Sequence, residues 1–343
     1  MIPASPRFSQ IPIPVTAASG RRWQQVWRDA VTDPKELLAL LGLSHRADEL
    51  LATADTGFAL RVPRGFIARM RHGDAADPLL LQVLPGPGEL LNPAGYATDA
   101  VGDLDSRAAS GVLQKYAGRS LLIATGSCAI NCRYCFRRHF PYAEETAAAG
   151  RWRAALEHLA GESSINEVIL SGGDPLSLST PRLAELTDAL QRIPHIRRLR
   201  VHSRLPIVLP ERVDRELLDW LDALPMQKVM VVHANHANEI DEAVIAASEA
   251  LRGVGLTLLN QSVLLRRIND TVQALCDLSE RLIAAGILPY YLHQLDRVQG
   301  TSHFEVEDAN AVELVDSMRC QLPGYLVPKL VREVAGDASK RPL

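Results

Sequence analysis

The sequence has few cysteines, almost no net charge and no long apolar run. Five cysteines in 343 residues, three of them within one short segment, do not make a disulfide framework, so we expect a cytoplasmic protein with free thiols. The net charge of −3 gives no basic field for nucleic acid or a membrane surface. No apolar run reaches the roughly 18 residues of a membrane span. The first residues read MIPASPRFSQIPIPV, which does not predict a secretory signal.

Composition and the spacing of apolar residues divide the chain into two regions. Hydrophobic residues make up 47% and charged residues 22%, which is typical of a folded protein. Residues 1–118 are predicted to form a mostly helical N-terminal region, punctuated by proline and glycine. In residues 119–343, short runs rich in Val, Ile and Leu alternate with longer amphipathic segments. This alternation predicts a second region of a different fold class.

Six short apolar runs in the second region are predicted strands: Leu121–Thr125, Glu167–Leu170, Leu199–His202, Val229–His233, Leu256–Leu259 and Ile287–Leu292. Strands that alternate with helices indicate right-handed βαβ units around a parallel sheet. The sequence therefore predicts an α/β fold, a partial (β/α)6 barrel. A seventh run, Tyr325–Val331, is a candidate to extend the sheet.

Small and polar residues follow each predicted strand: Gly126-Ser-Cys, Ser171-Gly-Gly-Asp, His202-Ser-Arg, His233-Ala-Asn-His, Asn260-Gln-Ser and His293-Gln-Leu-Asp. Parallel barrels build their active sites at the carboxyl ends of the strands. Any one of these segments is compatible with ordinary loop chemistry. Their shared position after every strand favours an active site at this end of the barrel.

The cysteine cluster is the most specific motif. Cys128, Cys132 and Cys135 have C-x3-C-x2-C spacing in the loop after the first predicted strand. Three thiolates can ligate three irons of a [4Fe-4S] cluster and leave the fourth open for S-adenosylmethionine (SAM). The alternative is a zinc site with His139 as fourth ligand, since structural zinc takes four N or S ligands. Cys276 and Cys320 are expected to be buried small hydrophobes.

Two further groups fit SAM. The Ser171-Gly172-Gly173-Asp174 segment offers backbone groups and an acceptor for the methionyl amine, although a plain tight turn is the simpler interpretation. His233 and Gln261 are candidates for the methionyl carboxylate. A lone histidine at a strand end is more often a core residue.

With these motifs the chain resembles the lysine 2,3-aminomutase family of radical SAM enzymes, which combine SAM, a [4Fe-4S] cluster and pyridoxal phosphate (PLP). The resemblance runs from about Trp23 to the end. Besides the cysteines and the Ser171 segment, it rests on these blocks: Tyr116-x-x-Arg119, Cys135-x-Arg137-Arg138, Ser203-Arg204-x-Pro206, His233-x-Asn235-His236-x-Asn238-Glu239, Asn260-Gln-Ser-Val-Leu-Leu265, Asp296, His303-Phe304 and Gly324-Tyr-x-Val-Pro328.

Within the family, the chain looks most like the short subgroup that makes (R)-β-lysine for the modification of bacterial elongation factor P. The segment from Asn131 to Tyr142 carries this likeness. From this likeness we expect the protein to lack the C-terminal extension of the free-lysine catabolic enzymes. The resemblance implies free lysine as substrate, an electron donor such as flavodoxin or ferredoxin, and transfer of the product to a ligase that acts on elongation factor P.

The resemblance also implies roles for single residues. Lys340 would carry PLP, with Lys329 as the second candidate, because a lysine amine is needed to bind PLP covalently. Arg119 would meet the PLP phosphate and Tyr116 its ring. The substrate carboxylate would pair with Arg137, and the substrate side-chain ammonium with Asp296 and Glu333. Glu333 stands where family members carry Asp.

Three other functions remain open from the sequence. The same chemistry on glutamate or arginine is the nearest alternative, followed by a radical SAM enzyme that does not use PLP. A zinc-binding interaction module that uses the three cysteines and His139 belongs to a different class. Metal analysis separates this last alternative from the others.

Overall fold

The structure, a computed structural model, describes residues 22–52, 54, 56–147 and 152–343. Its centre is a ten-stranded sheet whose strands lie side by side in chain order. The strands are β1 Arg107–Ala109, β2 Val112–Leu113, β3 Arg119–Thr125, β4 Glu167–Gly172, β5 Arg198–Ser203, β6 Gln227–Val232, β7 Thr257–Val263, β8 Leu288–His293, β9 Lys329–Arg332 and β10 Arg341–Pro342.

Strands β3 to β9 are parallel, and β1, β2 and β10 pair antiparallel at the two ends of the sheet. The sheet is therefore an open barrel with two edges, and the predicted α/β class is confirmed. All six predicted strands are present. The seventh run is divided, because Gly324–Leu326 forms a 3-10 turn before β9.

Helices cover the outside of the sheet, mostly in the connections between parallel strands. They are α1 Trp23–Arg28, α2 Pro34–Leu40, α3 Ala47–Leu50, α4 Arg64–Ile67, α5 Pro78–Leu81, α6 Arg153–Gly161, α7 Thr180–Leu190, α8 Leu205–Val208, α9 Arg215–Ala223, α10 Glu242–Gly253, α11 Val272–Ala284 and α12 Asp308–Arg319. No helix in the described ranges is long and apolar enough to cross a membrane.

Helix α11 shows how the sequence sets these connections. Thr271 begins the helix, and its side-chain oxygen accepts a hydrogen bond from the backbone N–H of Ala274. Leu275, Leu278 and Leu282 are buried at three- and four-residue spacing. Each such leucine contributes about 1.5–3 kcal/mol when it leaves water. The helix is therefore held against the barrel by one apolar stripe.

The N-terminal region packs on the barrel through the same hydrophobic core. Leu37 and Phe66 belong to one buried cluster with Leu183 of α7. Arg69 ties the region to the barrel, since its Nε donates to Asp241 at 2.8 Å and its Nη1 to the carbonyl of Ile207 at 2.6 Å. The boundary after residue 118 stays a prediction. The first 21 residues of the predicted N-terminal region lie outside the described part of the chain.

The two cysteines outside the motif differ. Cys276 is buried in the core beside α12, as predicted. Cys320 is exposed at the end of α12, so the expectation of a buried side chain is wrong there. The buried positions of α12 are Ala311, Val315 and Met318, and Cys320 lies outside this stripe.

Candidate active site

A cavity of about 480 Å³ lies at the carboxyl ends of the parallel strands. Residues in or just after β3 to β8 contribute to its wall, as the barrel architecture predicts. With the exception of Lys329, every residue singled out from the sequence for cluster, SAM, PLP or substrate lines this cavity: Tyr116, Arg119, Cys128, Cys132, Cys135, Arg137, Ser171, Gly172, Gly173, Asp174, His233, Gln261, Asp296, Glu333 and Lys340. Their roles stay predictions, but their convergence is a structural finding.

The three motif cysteines line one part of this cavity and are half-buried. Burial raises the pKa of Cys128 well above its usual value and that of Cys135 to about 11. A bound cationic cluster would offset this cost, so the donor set fits a cluster. His139 is exposed and contacts the Gln299 carbonyl at 3.3 Å. His139 therefore has a protein partner in this structure, and its role as a fourth zinc ligand stays an alternative.

The cysteine loop is anchored to the N-terminal region by a buried ion pair. Arg133 pairs with Glu89, and both side chains are fully buried. Arg133 also donates to the Phe58 carbonyl at 2.7 Å and to the Thr56 hydroxyl at 2.8 Å. Arg138 adds a second contact to Glu89 at 2.7 Å. The N-terminal region therefore fixes the loop that presents the cysteines.

The Ser171–Asp174 segment passes very close to the cysteine loop. Gly172 has a φ of +120°, and a Cβ there would lie 2.5 Å from the Thr125 carbonyl oxygen. A Cβ on Gly173 would lie 2.6 Å from the carbonyl oxygen of Ser127. Only glycine fits both positions without displacing backbone. At these two positions the segment thus presents only backbone to the cavity.

Asp174 is occupied by protein donors. Its carboxylate accepts hydrogen bonds from the Ser203 hydroxyl at 2.7 Å and from the backbone N–H groups of Leu176, Arg204 and Leu205 at 2.7–3.1 Å. Burial raises the pKa of Asp174 to about 6, although these hydrogen bonds oppose the shift. Asp174 therefore joins the ends of β4 and β5, and its contact with the SAM amine stays a prediction.

His233 and Gln261 lie at the ends of neighbouring strands. Burial, with a smaller effect of the Arg204 cation, lowers the pKa of His233 to about 3, so the imidazole is neutral. Its Nε2 is buried and has no hydrogen-bond partner among the described residues. His202 lies edge-on to it, with the ring centroids 5.9 Å apart. An unpaired buried ring nitrogen fits a site completed by a polar ligand.

Arg137 is held by an acidic partner that the sequence did not single out. Its Nε lies 2.6 Å from Asp103, and its Nη1 donates to the Ser171 hydroxyl at 3.1 Å. Asp103 also pairs with Lys115 at 2.7 Å. Burial opposes ionisation, but Arg137 and Lys115 hold the pKa of Asp103 below its usual value. The carboxylate therefore stays charged and orients the guanidinium.

Glu333 brings the predicted PLP residues together across the open side of the barrel. Its carboxylate accepts a hydrogen bond from the Tyr116 hydroxyl at 2.6 Å and forms a short ion pair with Lys340. Arg119 stacks on the Tyr116 ring at 4.6 Å. Lys340 also lies over the Tyr291 ring at 5.9 Å. These contacts join β3 and the preceding segment to the C-terminal strands.

Asp296 faces the same group of charges. Burial raises its pKa to about 7, and the nearby Glu333 carboxylate raises it further, while the Lys340 cation opposes the shift. A carboxylate in this position is stabilised by any additional cation that enters the cavity. The cavity thus holds two acids, Asp296 and Glu333, near one lysine.

The two candidate PLP lysines occupy different places. Lys340 lines the cavity. Lys329 is exposed at the start of β9 and is not part of the cavity wall. The geometry favours Lys340, in agreement with the order of preference given by the resemblance.

Three of the charged residues that sequence reasoning missed contact predicted site residues. Asp103, Lys115 and Arg204 all line the cavity and contact predicted site residues. Arg204 lies inside a matched block and Lys115 directly precedes one. Asp103 lies in a segment without a recognisable motif. Only the packing of the N-terminal region against the barrel brings Asp103 to Arg137.

The chain is 48% identical to L-lysine 2,3-aminomutase of Escherichia coli (strain K12) over 333 residues. The matched stretch covers 96% of this chain and 97% of that protein. It is 46% identical over 320 residues to the Haemophilus influenzae enzyme of that name, covering 93% and 95%. To the Clostridium subterminale enzyme it is 30% identical over 331 residues, covering 96% and 79%. The chain belongs to the L-lysine 2,3-aminomutase family.

Other comparisons are weaker. No protein-family model matches the chain. Among solved structures, a radical SAM methyltransferase from Sphaerobacter thermophilus is similar with a TM-score of 0.44 and 17% identity, covering 64% of this chain and 68% of that one.

Family membership makes the chain an isomerase of the aminomutase type and a radical SAM enzyme. The family's cofactors are a [4Fe-4S] cluster, SAM and PLP, as the cysteine motif and the resemblance predicted. Radical SAM chemistry also requires a one-electron reductant.

Proposed function

We propose that the chain converts L-α-lysine to (R)-β-lysine, which a ligase then attaches to elongation factor P. The observation that carries the lysine assignment is the charge pattern of the cavity. Asp296 and Glu333 place two acids in the wall, and Arg137 places a guanidinium in it. A substrate with a carboxylate and a second, cationic end matches this pattern.

Arg137 would bind the substrate carboxylate. Its Nε is already paired with Asp103, so the guanidinium cannot rotate freely. Its Nη1 donates to the hydroxyl of Ser171, which lines the same cavity. A planar fork in a fixed orientation suits a carboxylate.

Asp296 and Glu333 would bind the side-chain ammonium of lysine. Glu333 forms an ion pair with the Lys340 amine, and this supports the pairing of its carboxylate with a primary ammonium. Because burial raises the pKa of Asp296 to about 7, an entering ammonium would favour its ionised form. Binding of lysine and ionisation of Asp296 would therefore support each other.

The cofactors would be held by three groups of residues. Cys128, Cys132 and Cys135 would ligate the cluster, and Lys340, Tyr116 and Arg119 would hold PLP. SAM would contact the backbone of Ser171–Asp174, with His233 and Gln261 at its carboxylate. When bound, the cluster and SAM supply a carbon-centred radical that removes hydrogen from the substrate, and PLP supplies the π-system across which the amino group moves.

The same charges argue against glutamate as substrate. Its second carboxylate would face Asp296 and Glu333, and two buried like charges repel. Arginine has a cationic end and is not separated from lysine by charge alone. A radical SAM reaction without PLP would leave the Lys340 amine in the cavity without a chemical role.

The test is an anaerobic assay with reconstituted protein, SAM, PLP, a reductant such as flavodoxin, and a panel of lysine, arginine and glutamate. Chiral chromatography of the products should show (R)-β-lysine from lysine. Turnover of glutamate above that of lysine would refute the substrate assignment. Addition of elongation factor P and its ligase should then show transfer of this product, and no transfer would refute the downstream role.

A further inference from the structure

Arg204 makes a direct contact with one of the motif cysteines. It follows β5, and its side chain is 6% exposed. Nη1 of Arg204 lies 2.7 Å from the Sγ atom of Cys132. Nη2 donates to Gln82 Oε1 at 2.6 Å and to Glu239 Oε2 at 2.8 Å. One guanidinium therefore joins the cysteine loop, the N-terminal region and the loop after β6.

Two aromatic rings and a buried acid fix the position of this guanidinium. Its carbon lies 5.6 Å from the centroid of the Phe66 ring and 5.7 Å from that of Tyr134. Glu239 is fully buried, and its other oxygen accepts hydrogen bonds from the backbone N–H groups of Asn235 and His236 at 2.8 and 3.1 Å. An arginine held by rings and a fixed acid cannot leave the sulfur without breaking this network.

A donor at a ligand sulfur changes the energetics of the cluster. One-electron reduction of a [4Fe-4S] cluster adds negative charge that is shared by its sulfur ligands. A cationic hydrogen-bond donor stabilises the more negative, reduced state more than the oxidised state, particularly where water is excluded. Arginine remains charged under all relevant conditions.

We infer that Arg204 donates a hydrogen bond to the cluster-ligating sulfur of Cys132 and thereby raises the reduction potential of the cluster. Arg204 acts through the cysteine ligand and is a positioning and tuning residue, not a catalytic one. This inference rests on the proposed assignment of Cys132 as a cluster ligand. It predicts that the protein itself, and not only SAM, makes the cluster accessible to a biological reductant.

The simpler interpretation is that Arg204 only neutralises Glu239. Arg133 provides a matched control for this alternative, because it is also buried, lies in the cysteine loop and pairs with the buried Glu89. Its guanidinium donates hydrogen bonds to Glu89, to the Phe58 carbonyl and to the Thr56 hydroxyl, and to no cysteine sulfur of the described residues. Variants at both arginines therefore separate a sulfur contact from a structural ion pair.

The experiment is a dithionite redox titration of the reconstituted protein, with the reduced cluster followed by its electron paramagnetic resonance signal. The variants are Arg204→Lys, Arg133→Lys and the double variant Arg204→Met with Glu239→Gln, which removes the cation and its buried acid together. Iron and sulfide are counted on each protein, and circular dichroism checks the fold.

We expect both Arg204 variants to bind the cluster but to have a lower midpoint potential, with an equilibrium constant for reduction about tenfold below that of the parent. Arg133→Lys should leave the potential close to that of the parent. An unchanged potential in fully loaded Arg204 variants, or an equal shift in Arg133→Lys, would overturn the inference. Loss of the cluster from both Arg204 variants, with the fold retained, would also overturn the inference. A parent protein that binds no cluster would instead refute the proposed function.

Discussion

Asp103 lies 2.6 Å from Arg137 and orients the guanidinium that is proposed to bind the substrate carboxylate. Asp103 comes from the N-terminal region, whereas Arg137 follows the cysteine motif. The same carboxylate pairs with Lys115, which lies 3.7 Å from Glu333. A chain of charges thus connects the proposed carboxylate site with the proposed ammonium site.

Asp103→Asn should weaken lysine binding, because Arg137 loses the charge that fixes its orientation. Truncating one member of a buried charge pair costs about 2–5 kcal/mol of binding free energy. We expect a large part of this loss to appear as an increased KM. Steady-state kinetics would separate KM from kcat. Asp105→Asn, at an exposed position of the same loop, is the control. Equal kinetics of the two variants would contradict a positioning role for Asp103.

Replacement of any of Cys128, Cys132 or Cys135 by Ala should abolish cluster assembly and SAM cleavage, because each thiolate is proposed to ligate one iron. Cys276→Ala and Cys320→Ala should leave both intact. Iron and sulfide counts on the five variants, together with a SAM-cleavage assay, check this. A fully loaded Cys132→Ala protein would contradict the ligand assignment.

Lys340→Ala should lose PLP, measured as loss of the cofactor absorbance and of the adduct trapped by borohydride. Lys329→Ala should retain both, because Lys329 is exposed outside the cavity. Uncoupled SAM cleavage is expected to persist in the Lys340 variant. Peptide mapping of the trapped adduct in the parent decides the position, and a label on Lys329 would show that the placement is wrong.

Asp296→Asn should lower kcat/KM for lysine by about 1.5 to 3.5 orders of magnitude, since a buried partner of the substrate ammonium is lost. Cluster content and PLP loading should change little. An Asp296→Asn variant as active as the parent would exclude this residue from the ammonium site.

The pH profile gives an independent test of Asp296. Its pKa is raised to about 7, so the carboxyl group becomes protonated and neutral as the pH falls through this value. For the parent, kcat/KM should therefore fall below about pH 7, because kcat/KM reports groups of the free enzyme. Asp296→Asn should lack this inflection. Its persistence would assign the titration to another group.

Gly172→Ala should destabilise the protein by about 1–3 kcal/mol, because alanine is strained at a φ of +120° and its Cβ would clash with the Thr125 carbonyl. Gly161→Ala is the control, since a Cβ there meets no atom within 4 Å and the position ends helix α6. Urea unfolding measures both. Equal stability of the two variants would show that β4 can shift away from β3.

The sequence was sufficient where a short local pattern carries the information. The spacing of the three cysteines, the apolar runs of β3 to β8 and the polar residues after them are all local, and they predicted both the α/β fold and the end of the barrel that holds the cavity. The apolar runs did not predict the short strands at the two ends of the sheet. Strands β1, β2 and β10 have only two or three residues each, which is too few to show a period.

Tertiary structure alone decided which charges meet. Tyr116 and Glu333 are 217 positions apart and hydrogen-bond because the open sheet brings β3 and β9 to opposite sides of one gap. Arg137 meets Asp103 because the N-terminal region packs against the barrel, and Arg204 meets Cys132 because β5 ends beside the cysteine loop. Residue type and spacing determine what each side chain can do. Burial and pairing determine which of these possibilities is realised, because the energy of a charge depends on the groups around it.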